Sequence, residues 1–158
     1  MVQLAAEWAA NGQTIDVIET RIKEMIHRCR VYFLVATLEY LAKGGRIGGA
    51  YALLGSVLQI KPILTINDGK VEVYERERTH KRALNRIKEI VLEQFPRTKE
   101  GYLAIMHAAV PEQGKELAIE LSSILGINST RVPILDVPPA IVTHGGPGIL
   151  GVSFFVGK

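Results

Sequence analysis

Apolar side chains recur at helical spacing over the first thirty residues. An alanine-rich stretch, Val2–Ala10, predicts a helix that ends at Asn11-Gly12, and Thr14 is placed to cap a second helix. The apolar positions of the second helix share one face and are Val17, Ile18, Ile22, Met25 and Ile26. Because neither helix has an apolar partner early in the chain, we expect residues 1–29 to form an entry segment whose neighbour lies upstream.

From residue 30 onward, short β-rich runs alternate with helical patterns. Val31–Ala36 predicts a strand buried on both faces, and Asn67-Asp68-Gly69 predicts a hairpin turn. The remaining predicted elements are helices Leu38–Lys43 (ended by Gly44-Gly45), Ala50–Gln59, Thr79–Gln94 and Pro111–Gly126, and strands Lys61–Asn67, Lys70–Arg78, Tyr102–His107, Arg131–Val137 and Gly151–Val156. This alternation, with one hairpin, predicts an α/β domain over residues 30–158, a two-layer mixed sheet with flanking helices.

Composition narrows the function classes. The single cysteine, Cys29, cannot build a disulfide framework, and no His, Cys, Asp or Glu cluster has metal-ligand spacing, so we expect neither a metal nor a cofactor. No apolar run approaches the roughly 18 residues of a membrane span. The net charge of +3, without an aromatic-studded basic face, does not predict nucleic-acid binding. No signal-peptide pattern is evident, so we expect a cytoplasmic protein.

Two glycine-rich segments hold the residues with the clearest chemistry. Arg46 follows Gly44-Gly45, where its guanidinium could clamp a carboxylate or phosphate, although an arginine there can equally cap a helix end. His144 lies in a predicted turn, Thr143–Gly148, where it could bind an oxyanion, act as a base or only hold a loop. The residues alone leave both pairs of alternatives open.

Other candidates carry weaker signals. His107 and Asp136 could form an acid/base pair, but their spacing does not connect them, and the simpler reading is two polar strand ends. The stretch Arg76–Arg82 is basic although Glu77 interrupts it, and it could dock an acidic partner. Its alternative is the solvated start of a helix.

Several motifs together resemble the C-terminal half of a DegV family protein. They are Thr37–Gly48 (TLEYLAKGGRIG), Leu53–Ser56 (LLGS), Ile60–Leu64 (IKPIL), Asp68-Gly69 and Thr143–Gly148 (THGGPG). Their order and spacing agree with the family from about Ala5 to the end of the chain. The resemblance implies that a long-chain fatty acid is the ligand.

The resemblance also implies roles for single residues. Arg46 and His144 match the neighbourhood of the fatty acid carboxylate, and the ligand-binding residues implied are Gly45, Arg46, Ile47, Thr143, His144 and Gly146. Arg78 matches a basic residue that contacts a fatty acid kinase subunit. The apolar segment Ala50–Leu58 would help line the acyl tunnel. The chain would be the non-enzymatic, acyl-carrying subunit, with a place in phospholipid metabolism.

One departure from the family is large. Family members are nearly twice as long, and their N-terminal domain supplies the Ser and Thr hydroxyls that hold the carboxylate. No matching hydroxyl loops precede Val31. We therefore expect a missing N-terminal half, and weak binding by this chain alone. Two other classes remain: a small enzyme acting on a carboxylated or phosphorylated metabolite through Arg46 and His144, and a structural or oligomerising domain.

Overall fold

The computed structural model describes residues 1–55, 60–96 and 101–156, in which helices alternate with strands. The helices are α1 Val2–Ala10, α2 Ile15–Arg28, α3 Glu39–Lys43, α4 His80–Gln94, α5 Pro111–Leu125 and α6 Pro139–Gly145, with 3₁₀ helices at Gly48–Leu53 and Ser129–Arg131. The strands are β1 Cys29–Leu34, β2 Lys61–Asn67, β3 Lys70–Glu77, β4 Leu103–His107, β5 Ile134–Asp136 and β6 Leu150–Phe155. The predicted α/β fold is confirmed.

The six strands form one mixed sheet in the order β3-β2-β1-β6-β4-β5. Only the β4–β5 pair is parallel among the strand pairs described, and the other pairs are antiparallel. The predicted hairpin joins β2 and β3, with positive φ at both Asp68 and Gly69, as a tight two-residue turn requires. Strands β1, β4 and β5 run in the same direction, so their carboxyl ends share one edge of the sheet.

The main core lies between one face of the sheet and helices α4 and α5. Phe154 of β6 is fully buried at its centre, with ring centroids 6.1 Å from Tyr32 and 6.3 Å from Phe95. Helix α4 buries Ala83, Ile87, Ile90 and Val91 in this core, and α5 ends as expected at Gly126 in a left-handed conformation. These helices therefore follow from periodicity and capping residues.

A second, smaller apolar cluster covers the opposite face of the sheet near the carboxyl end of β1. Neighbouring strand residues point to opposite faces, so Leu64 belongs to this cluster while Ile63 belongs to the main core. The other fully or mostly buried members are Val35, Leu41, Ile47, Ala50, Ala108 and Ile149. This cluster fixes α3, the first 3₁₀ helix and the end of α6 against the sheet.

Two predicted elements are wrong in the segments that later form the site. Instead of a helix over Ala50–Gln59, the chain forms the 3₁₀ helix Gly48–Leu53, because Gly48 and Gly55 adopt positive φ angles that interrupt an α-helix. Residues 56–59 of that prediction lie outside the described residues. The predicted turn Thr143–Gly148 is helical as far as Gly145, since Pro139 at the first helical position starts α6.

Smaller corrections concern strand length, burial and capping. Strand β1 begins at Cys29 and is fully buried on one face only, because the second cluster reaches only its carboxyl end. Strand β5 is limited to Ile134–Asp136 because the 3₁₀ helix Ser129–Arg131 occupies the start of the predicted strand. Thr79 caps α4 through its hydroxyl, whereas Thr14 occupies the cap position of α2 without a side-chain hydrogen bond.

Helices α1 and α2 leave much of their apolar surface open to solvent. Val2 is 86% exposed and Ile15 is 75% exposed, and Ile18 is the only fully buried residue of the pair. Arg21 lies over the Trp8 ring at 5.0 Å from its centroid, which joins the two helices. The expected division at residue 29 is therefore compatible with this surface, and it stays a prediction.

Candidate functional site

The two glycine-rich segments singled out in the sequence meet at the edge of the sheet. Helix α3 follows the carboxyl end of β1, and α6 follows the carboxyl end of β5, so the topology brings both to one edge. The ring of His144 lies directly over Gly44, where a Cβ atom would overlap its Nδ1. The structure thus brings the Gly44–Arg46 and Thr143–Gly148 segments together.

A second contact joins the same two segments, and here the ring belongs to α3 and the glycine to the segment after α6. The ring of Tyr40, on α3, lies against Gly146, whose added Cβ would overlap Cδ2 and stand 2.8 Å from Cε2. Beside it, a Cβ at Gly148 would stand 2.9 Å from the Cβ of Ala36, at the exit of β1. Glycine is therefore needed at these positions for close approach of α3 and the segment after α6.

Arg46 is held at the carboxyl end of α3. Its Nη1 donates a hydrogen bond to the Gly44 carbonyl oxygen at 2.7 Å, and its backbone N–H donates to Leu41 at 2.9 Å. One side-chain N–H group of Arg46 therefore caps the end of α3, as one of the two alternatives for this residue proposed. Within the described part of the chain, the guanidinium makes no ion pair, and the side chain is exposed. The remaining N–H donors are open to an anion.

His144 is half-buried, and its Nδ1 is fully buried without a hydrogen-bond partner among the described residues. Arg46 and His144 share Gly44 as a neighbour: the carbonyl oxygen of Gly44 accepts the arginine bond, while the imidazole covers its Cα. The structure therefore places a guanidinium and an imidazole against the same glycine.

The other predicted ligand residues contribute in different ways. Gly45 and Gly146 have positive φ angles of 68° and 79°, and Gly45 is exposed whereas Gly146 is buried. The Thr143 hydroxyl donates to the Pro139 carbonyl oxygen at 2.9 Å within α6. The Ile47 side chain is buried in the second apolar cluster, so it supports the segment instead of facing a ligand at the surface.

A cavity of about 360 Å³ opens beside the site, at the exit of β1. Its apolar lining includes Leu38 at the start of α3 and Leu53 and Leu54 at the end of the 3₁₀ helix. Lys61 lies in its wall and donates a hydrogen bond to the Ala36 carbonyl oxygen at 3.2 Å. Ala36 also touches Gly148, so the cavity and the glycine-rich segments share a wall.

Arg78 lies between β3 and the capping residue of α4, and is exposed. Glu75, which adds negative charge just before the basic stretch, forms a two-point contact with Arg86 at 2.7 and 3.0 Å. The hydrogen bonds that Arg86 donates to Glu75 first, and then to Glu93 and Glu89, raise the pKa of Arg86 above its ordinary value. The exposed charges of this edge are therefore mainly the cations Arg76, Arg78, Lys81 and Arg82.

The structure brings together His107 and Asp136, which the sequence spacing did not connect. They are register partners in the parallel β4–β5 pair, with His107 Nδ1 3.5 Å from Asp136 Oδ1. His107 is buried and its Nδ1 has no hydrogen bond among the described residues, while Asp136 is exposed. Only the strand order could have revealed this pair.

The contact of Tyr40 with Gly146 was not predicted from the sequence. The spacing of four residues between Tyr40 and Gly44 places both on one face of a helix, which is the only local signal that Tyr40 carries. The described residues contain no group of three His, Cys, Asp or Glu side chains placed to hold a metal ion. Within the described ranges, no helix is long and apolar enough to cross a bilayer.

Comparison with known proteins agrees with the motifs. A family model described as "uncharacterised protein, DegV family" matches residues 1–157. A DegV domain-containing protein of Clostridium acetobutylicum is 36% identical over 154 residues, which are 98% of this chain and 53% of the relative. The chain thus spans about half the length of the curated relatives it matches.

Solved structures show the same fold and the same partial coverage. A fatty acid binding DegV family protein from Streptococcus agalactiae matches with a TM-score of 0.82 and 32% identity, over 98% of this chain and 54% of the other. A DegV family protein from Thermus thermophilus, described by its fatty acid binding, matches with a TM-score of 0.85 and 31% identity, over 98% and 55%.

Proposed function

The chain belongs to the DegV family, and from that premise we propose that it forms part of a binding site for a long-chain fatty acid. The carboxylate would lie near Arg46 and His144, and the acyl chain would run along apolar surface. One observation carries this proposal: an exposed guanidinium and a half-buried imidazole share Gly44 as a neighbour. The neighbouring cavity supports it through the leucine side chains in its wall, because each methylene of an acyl chain buried against them contributes about 0.8 kcal/mol.

Substitution of Arg46 tests the carboxylate site. Arg46→Gln removes the charge and keeps a polar side chain, and a hydrogen bond to a charged group is worth about 1.5–3 kcal/mol. We expect palmitate to bind about 10- to 100-fold more weakly, measured by isothermal titration calorimetry. Arg131→Gln is the control, since Arg131 is an exposed arginine at the end of another short helix. Equal affinity of the two variants would remove Arg46 from the site.

We also propose that binding by the chain alone is weak, because it spans only about half the length of the relatives described as fatty acid binding proteins. The exposed apolar side chains of α1 and α2, such as Val2 and Ile15, support a role for these helices in contacting that half. A thermal shift with palmitate or oleate should be clearly smaller than that of the intact Thermus thermophilus relative. Equal shifts would show that this chain holds the whole binding site.

The basic edge around Arg78 is the proposed docking surface for a fatty acid kinase subunit. Exposed cations steer association with an acidic partner, and this edge carries the exposed side chains of Arg76, Arg78, Lys81 and Arg82. Arg78→Glu should impair acyl phosphate formation by a reconstituted kinase and leave palmitate affinity nearly unchanged. Arg131→Glu controls for the change in net charge. An equal loss of palmitate binding in Arg78→Glu would contradict the docking role.

A further inference from the structure

The contact between α3 and α6 is reciprocal. Tyr40 and Gly44 lie four residues apart on one face of α3, and His144 and Gly146 lie at the end of α6. Each element places one ring on the other element's glycine: Tyr40 on Gly146, and His144 on Gly44. The position of the imidazole is thereby linked to the position of the tyrosine ring.

Neither helix is long enough to hold that geometry by itself. Helix α3 has five residues and α6 has seven, and helices this short depend on packing for their stability. Leu41 anchors α3 in the second apolar cluster, and Ile149 anchors the chain after α6 by its contact with Gly145. Between these anchors, the Tyr40 ring is the side chain that meets the backbone of Gly146.

We propose that Tyr40 is a positioning residue of this site: its ring fixes Gly146 and so holds His144 over Gly44, beside Arg46. The binding consequence rests on the proposed function, while the geometric consequence does not. The aromatic ring of Tyr40, and not its hydroxyl, makes this contact. The hydroxyl makes no hydrogen bond within the described residues, and Tyr40 is 41% exposed. Loss of the ring leaves space into which the end of α6 shifts.

The imidazole signals of the ligand-free chain test the geometry directly. The chain has four histidines, so long-range ¹H–¹⁵N NMR spectra resolve His144 from the others. Tyr40→Ala should shift or broaden the His144 signals and leave those of His107 unchanged, and Tyr40→Phe should restore the wild-type positions. Tyr102→Ala is the matched control, because Tyr102 is also 41% exposed and packs on Phe155 instead.

Palmitate affinity of the full chain tests the consequence for binding. Removing the contacts that orient a metal ligand costs about 10- to 100-fold in affinity, and we expect about tenfold weaker binding for Tyr40→Ala by analogy. Tyr40→Phe should stay within about twofold of wild type. Failure of the wild-type chain to bind palmitate would count against the proposed function, and the NMR result would still decide the role of Tyr40.

A purely structural role predicts a different pattern. In that case Tyr40→Ala lowers the melting temperature while the His144 signals stay in place, and this outcome overturns the proposal. Tyr40→Leu keeps apolar volume without a flat ring, so it supplies the same test if Tyr40→Ala does not fold. Unchanged His144 signals in Tyr40→Leu would equally overturn it.

Discussion

Replacing Gly44 by alanine tests whether the His144 ring truly lies against α3. Gly44 has φ of −78° and ψ of −7°, a right-handed backbone that alanine adopts freely, so the substitution adds a methyl group without backbone strain. In open space such a change stabilises a protein by about 0.4–1 kcal/mol, because it restricts the unfolded chain. At Gly44 the space is occupied, so the sign of the effect should reverse.

The magnitude follows from the neighbours of the added carbon. It would overlap the His144 Nδ1, and it would lie 3.3 Å from the His144 Cγ and 3.2 Å from the Tyr40 carbonyl oxygen. That carbonyl already accepts a hydrogen bond from the Gly44 N–H at 2.9 Å, so the imidazole must move, by roughly 1 Å, to regain normal contact distance. Overpacking of this kind costs about 1–3 kcal/mol.

Gly49→Ala provides the matched control. Gly49 has no positive φ and no atom within 4 Å of an added Cβ. Alanine at this position therefore restricts the unfolded chain, which stabilises the protein, and it causes no overpacking. The two variants should differ by about 2 kcal/mol in the free energy of unfolding. With a urea m-value of about 1–3 kcal/mol/M, their midpoints by far-UV circular dichroism should differ by about 1 M. Coinciding midpoints would refute the contact between His144 and Gly44.

Three further outcomes are expected of the fold. Phe154→Ala should cost about 3–5 kcal/mol in chemical denaturation, and Phe155→Ala clearly less, because only Phe154 is fully buried. Burial lowers the pKa of His80, so its stabilising contribution is complete above its ordinary pKa of 6.5 and is lost as the pH falls through the folded-state value. His80→Gln should therefore flatten the fall in melting temperature between pH 7.5 and 5.5, and an unchanged slope would contradict this. Thr79→Ala should lower stability by about 1 kcal/mol through loss of the α4 cap, whereas Thr14→Ala should cost less because no side-chain cap bond is lost.

Local signals predicted the long elements well. Apolar periodicity sufficed for α4, periodicity with the terminal Gly126 sufficed for α5, and Asp68-Gly69 sufficed for the hairpin. Where glycine or proline density is high, local signals conflict. The segment after Gly48 became a 3₁₀ helix instead of an α-helix, and α6 formed from a stretch predicted as a turn.

The site was predictable only in part, because its residues are distant in sequence. Arg46 and His144 could be named from their glycine-rich segments, and the contact of both with Gly44 required the folded chain. The contact of the Tyr40 ring with Gly146 could not be predicted, because the only local signal of Tyr40 is its spacing of four residues from Gly44. The pairing of His107 with Asp136 depends on the parallel register of β4 and β5, which no local pattern encodes.

The order of the strands determines when the site can form during folding. Strand β6, Leu150–Phe155, pairs with β1 on one side and β4 on the other, and it links the two groups of strands that carry the Arg46 and His144 segments. It is also the last of the described strands in chain order. A nascent chain lacking it holds two unjoined half-sheets, so the site should assemble late, as a non-local and therefore comparatively slow step of folding.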